Sequence, residues 1–107
     1  MLAAILVLPL LSHALLAAII TLLIYAPLHW NDVPWSPAIA GLVTATFFYG
    51  REAGQAEHSL KREGWSPVLA WVGAYTMTGW RLDNVLQYLA PAGAAALIAA
   101  ILWYMEM

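Results

Sequence analysis

Between Leu2 and Leu28 the chain carries no charged residue, in the run LAAILVLPLLSHALLAAIITLLIYAPL. A helix needs about 20 predominantly apolar residues to cross a ~30 Å hydrocarbon core, and this run exceeds that length. A cleaved signal peptide would show a basic start, a shorter apolar centre and a small-residue cleavage site. No Lys or Arg precedes Leu2, so the run is expected to stay as a membrane span. Composition agrees, because the 107 residues are 64 % hydrophobic and only 9 % charged. Soluble domains carry roughly 25 % charged residues, and so thin a polar coat implies lipid in place of water around the fold.

The expected fold class is therefore all-α, a polytopic integral membrane protein forming a single domain over residues 1–107. Three transmembrane helices are expected, at about residues 2–28, 33–50 and 84–105. The linker LHWNDVPWSP holds two prolines and an Asn-Asp pair, the mark of a hairpin turn, with Trp30 and Trp35 at headgroup level. The last span, NVLQYLAPAGAAALIAAILWYM, is again uncharged, with Pro91 near its start and Trp103 and Tyr104 at its end. Residues 65–80, WSPVLAWVGAYTMTGW, are short for a span and spread Trp65, Trp71 and Trp80 along their length. An interfacial or re-entrant segment is expected there, with a fourth transmembrane helix as the alternative.

Charge is concentrated in YGREAGQAEHSLKREG, residues 49–64, which reads as a charged cytoplasmic helix or loop. The four basic residues, Arg51, Lys61, Arg62 and Arg81, all lie between the second and last spans. The positive-inside rule assigns that connection, and the N-terminus with it, to the cytoplasm. Three spans then leave Asp32 and Glu106 on the outer side. Besides orienting the chain, Arg51, Glu52, Glu57, Lys61, Arg62 and Arg81 are candidates for docking a partner. Glu57 precedes Lys61 by four, the favourable order for a helical pair. Asp83 and Asn84 are candidate caps for the last helix.

Small residues recur at helical spacing in the spans: Gly41 and Ala45 in the second, and Ala92, Gly93, Ala96 and Ala100 in the last. Such faces let helix backbones approach closely in lipid, and they are the expected helix-packing or oligomer interface. Chemistry has no comparable pattern. No nucleophile elbow, P-loop or dinucleotide motif is present, the chain has no cysteine, and no His pair has zinc-helix spacing. His13 is the one ionisable residue inside a span, expected to be neutral and hydrogen-bonded to a neighbouring helix. The chain is read as a non-enzyme without cofactor or metal. Its formal charge of −2 argues against a nucleic-acid partner, leaving the lipid bilayer, copies of itself and other membrane proteins. Small multidrug transporters match in size only, since their first span carries a glutamate that this one lacks.

The segments FFYGREAGQAEH and WRLDNVLQYLAPAGAA resemble small inner-membrane proteins of phage and prophage genomes, through Tyr49, Gly50, Arg51, Glu52, Glu57, Trp80, Asp83 and Pro91. Some of these are holin-like. The resemblance implies a protein that oligomerises by helix self-association and permeabilises the membrane. It departs from three-span holins in lacking a charged C-terminal tail and in its inverted charge bias. The other reading is a non-enzymatic accessory or scaffold subunit that docks a partner through the charged cytoplasmic loop.

Overall fold

A computed structural model describes residues 2–106, and the side-chain surroundings of residues 8–106. It is all-helical over those residues, with helices α1 (Leu2–Trp30), α2 (Ser36–Arg62), α3 (Pro67–Tyr75) and α4 (Leu82–Glu106). Three long helices lie side by side, α4 touching both α1 and α2, while α3 packs on α2 alone.

The local chemistry explains each boundary. Beyond α1 the backbone turns through Asp32 and Trp35, both at positive φ, and Asn31 returns its side-chain amide to the Pro27 carbonyl at 2.7 Å. Pro37 then sits in the first turn of α2, where a missing N–H costs little. At the other end of α2, Gly64 adopts φ 100°. Its N–H bonds to the Lys61 carbonyl and that of Trp65 to the Leu60 carbonyl, the paired reverse bonds of a Schellman cap. Ser66 starts α3 by accepting from the Leu69 N–H, with Pro67 behind it.

Two helices, Leu8–Trp30 within α1 and Leu82–Glu106, are long and apolar enough to cross a membrane. The expected second span differs. Residues 33–35 belong to the turn, and the apolar part of α2 runs only from Ser36 to Gly50, about 22 Å at 1.5 Å per residue. Beyond it the charged stretch, expected as a helix or loop, continues as one unbroken helix to Arg62 through Gly50 and Gly54. The segment at 65–80 supplies nine helical residues, about 14 Å, too short for the fourth span. Helix α4 runs through Pro91 without a break.

Packing is inverted relative to a water-soluble globule. Apart from Phe48, Leu60 and the prolines Pro37 and Pro91, the fully buried apolar side chains among the described residues are alanines: Ala17, Ala40, Ala53, Ala56, Ala70, Ala74 and Ala95. Large apolar side chains face outward instead, Leu23 at 68 % exposure and Leu42 at 69 %. In each apolar helix only 11 % of the spanning window is buried, whereas the core helix of a soluble protein would be mostly covered.

The three long helices alternate in direction. The start of α2 lies beside the end of α4, where a Cβ built on Gly41 would stand 2.9 Å from the Ala99 Cβ and 3.4 Å from the Ala95 carbonyl oxygen. Tyr25 and His29, near the end of α1, meet Glu106 at the end of α4. So α1 and α4 run parallel, α2 runs against both, and the α1–α2 turn lies at the same end of the bundle as the end of α4. Because only glycine fits at the α2–α4 crossing, Gly41→Leu should force the helices apart and lower stability by about 1–3 kcal/mol. The thermal midpoint in detergent reads this directly, with the exposed Val43→Leu as the control that leaves it unchanged.

Candidate functional site

Four polar contacts hold the long helices together, and they place the candidate residues in three groups. In the middle of the bundle, Thr21 on α1 donates to Thr44 on α2 at 3.0 Å, both hydroxyls being fully buried. Each hydroxyl also lies within hydrogen-bond distance of the carbonyl one turn back, Ala17 for Thr21 and Ala40 for Thr44. In lipid such a pair is worth about 0.6 kcal/mol, and it fixes the rotation of α1 against α2.

At the end carrying the basic residues, Glu52 is 1 % exposed and accepts from the Asn84 side-chain amide at 2.9 Å. Helix α2 buries Phe48, Glu52, Ala56 and Leu60 on one stripe, and that i, i+4 spacing turns the carboxylate inward. Asn84 is doubly used, since its Oδ1 accepts from the Arg81 backbone N–H at 3.1 Å. As the third residue of α4 it thereby reaches back to the residue before the helix, one half of a capping box. Asp83 is exposed in the first turn, where its charge complements the helix dipole. Above this tie, Trp80 and Tyr88 pack against Tyr49 with ring centroids 5.5 Å away in each case, and the Trp80 indole donates to the Ala74 carbonyl.

The remaining charged candidates divide by what they touch. Glu57 pairs with Lys61 at 3.0 Å, and Arg81 forms an ion pair with Glu63. Arg51 and Arg62 are exposed and make no ion pair among the described residues. Of the six residues expected to serve docking, Glu52 is thus turned inward and unavailable to a partner, because burial and the Asn84 amide hold it inside. Glu63 is a participant the sequence reading left out.

The small-residue candidates separate by one helical step. Gly41 is buried against Ala95 and Ala99, whereas Ala96 and Ala100 are exposed and Gly93 has open space where a side chain would stand. Ala45, Ala92 and Ala96, with Ala38, Leu42, Ala99 and the edge of Gly41, line an open groove of about 370 Å³ between α2 and α4. One face of α4 therefore packs within the chain and the adjacent face is left open.

At the opposite end, Tyr25 donates to Glu106 at 2.7 Å, and His29 Nδ1 lies 2.8 Å from the same carboxylate oxygen. Sequence spacing gives no hint of this cluster, which joins residues about 80 positions apart. His13 was expected to bond a neighbouring helix; its Nδ1 is buried and finds no hydrogen-bond partner among the described residues. The ring instead faces Phe48 at 6.4 Å. Among the described residues no group of His, Asp and Glu is arranged to hold a metal ion.

Comparison with known families, with curated proteins and with solved structures finds no match to this chain.

The Glu52–Asn84 tie generates a specific expectation. Removing Asn84 strands the buried Glu52 carboxylate, at about 1–3 kcal/mol, and removing Glu52 leaves the half-buried Asn84 amide without its partner. Glu52→Ala and Asn84→Ala should each lower the thermal midpoint in detergent, with the double variant well short of the summed losses. Additive losses would show that the two side chains do not act together.

Proposed function

We propose that the chain is a small multi-pass protein of a bacterial inner membrane that works by associating with copies of itself. Helices α1, α2 and α4 traverse the bilayer, the basic residues mark the cytoplasmic side, and the N-terminus is cytoplasmic. Helix α2 crosses with its apolar part and the buried stripe that follows it, since a Glu52 held by Asn84 presents no free charge to lipid. The carrying observation is the open groove of Ala38, Leu42, Ala45, Ala92 and Ala96. Lipid chains fill a shallow alanine surface poorly, and a second helix fits it closely, which is how small-residue faces drive association in membranes. Association of this kind, with the resemblance to holin-like phage proteins, supports a role in permeabilising the membrane.

A second reading rests on a different observation. Arg51 and Arg62 are exposed on the charged continuation of α2 without an ion-pair partner among the described residues, and they suit an acidic surface of a partner protein in an accessory role. The two readings diverge on self-association. Ala96→Leu fills the groove from an exposed position, so the monomer should fold as before while the self-associated species falls about tenfold, at the 1–3 kcal/mol that overpacking costs. Cross-linking in membranes measures the first effect, and a potential-sensitive dye during expression measures the second. The dye should report collapse with the native chain and intact potential with the variant. A monomeric native chain that leaves the potential intact would remove the permeabilising role.

A further inference from the structure

The end of the bundle that carries the basic residues holds a cavity unrelated to the packing groove. Ser59 and Arg62 on the last turns of α2, Glu63 behind them and Arg81 ahead of α4 line a space of about 320 Å³. That is several times the ~30 Å³ share of a water molecule in the liquid, and each lining residue carries a polar or charged group. Two guanidiniums and a hydroxyl converge there against one carboxylate, and that carboxylate engages Arg81 alone. Arg62 makes no ion pair among the described residues. A guanidinium offers five N–H donors in a planar fork that suits phosphate, so the cavity presents more donors than Glu63 can satisfy.

What lies between the two arginines in sequence narrows the ligand. From Gly64 to Trp80 there is no charge, and α3 turns its large apolar side chains outward, Val68 at 71 % exposure and Leu69 at 60 %, with Trp71 beside them. Leu60 and Trp65 crowd Gly73 on the opposite side, which fixes that outward face. An arginine-lined pocket beside the apolar face of α3 matches a molecule with an anionic head and hydrocarbon chains.

We propose that this cavity binds the phosphate of an anionic phospholipid, with Arg62 and Arg81 as its ligands, Ser59 donating its hydroxyl, and the acyl chains lying along α3. Glu63 acts as an intramolecular competitor that holds Arg81 until the headgroup displaces it. The proposal rests on the membrane reading above, and it can fail while that reading stands, since carbonate-resistant membrane extraction tests integration by itself.

The experiment is native mass spectrometry of the full chain in detergent with added phosphatidylglycerol or phosphatidylcholine. The native chain should retain phosphatidylglycerol in preference to phosphatidylcholine. Arg62→Gln and Arg81→Gln should each reduce that retention about fivefold, the affinity equivalent of one basic contact at a membrane surface. Glu63→Gln should increase it, an outcome a purely structural ion pair would not produce. Arg51→Gln, which alters an exposed arginine outside the cavity, should leave it unchanged. Equal retention of the two lipids, or an equal loss with Arg51→Gln, would overturn the site in favour of diffuse charge attraction. Displacement of the lipid by millimolar sodium phosphate would overturn the lipid assignment in favour of a free phosphate.

Discussion

Close contact between helix backbones is the constraint on which the rest of the structure depends. Gly41 meets Ala95 and Ala99 at a separation that leaves no room for a side chain, and nearly all of the buried apolar side chains are alanines. In water such a core would contribute little, because burial stabilises in proportion to the apolar area removed from solvent. In lipid the comparison changes, since hydrocarbon chains are as apolar as leucine and helices gain by packing where their surfaces fit. Small residues inward and leucine outward is the solution that follows. The proposed self-association uses the same logic, with the open alanine face of α4 as its interface.

Polar contacts then set the register that alanine packing alone leaves loose. Thr21 with Thr44 fixes α1 on α2, Glu52 with Asn84 fixes α2 on the start of α4, and Tyr25 and His29 with Glu106 fix α1 on its end. Each pair of long helices is thus joined by polar contact at its own height in the bundle, α1 and α4 through two bonds to Glu106 and the other pairs through one. An unsatisfied polar group in hydrocarbon costs several kcal/mol, so a rotated or slipped helix would break its contact at a cost larger than any single alanine contact returns.

How far the sequence disclosed this differs from element to element. The uncharged runs of α1 and α4 are continuous, and length with hydropathy sufficed to find them. The Ser66-Pro67 start of α3 has a plain capping signal, though the shortness of that helix was written less in composition than in Gly73 and Gly79, which let Leu60 and Trp65 pack close. Helix α2 was harder, because Gly50 and Arg51 look like a membrane boundary while the buried stripe Phe48, Glu52, Ala56 and Leu60 continues past it. That i, i+4 stripe was the available signal for an inward Glu52. Its weight was lost among the charges of residues 49–64, where Arg51 and Lys61 are solvated. The Glu106 cluster had no local signal, since its partners lie on another helix.

The proposed topology has three alternating traverses, with the α1–α2 turn and the end of α4 on one side and the charged part of α2 on the other. The chain has no cysteine, so single substitutions at Asn31, Met105 and His58 report their own side when intact cells are treated with a bulky membrane-impermeant maleimide. The prediction is labelling of Asn31→Cys and Met105→Cys in intact cells, with His58→Cys labelled only after the membrane is opened. Labelling of Asn31→Cys and Met105→Cys from opposite sides would contradict it.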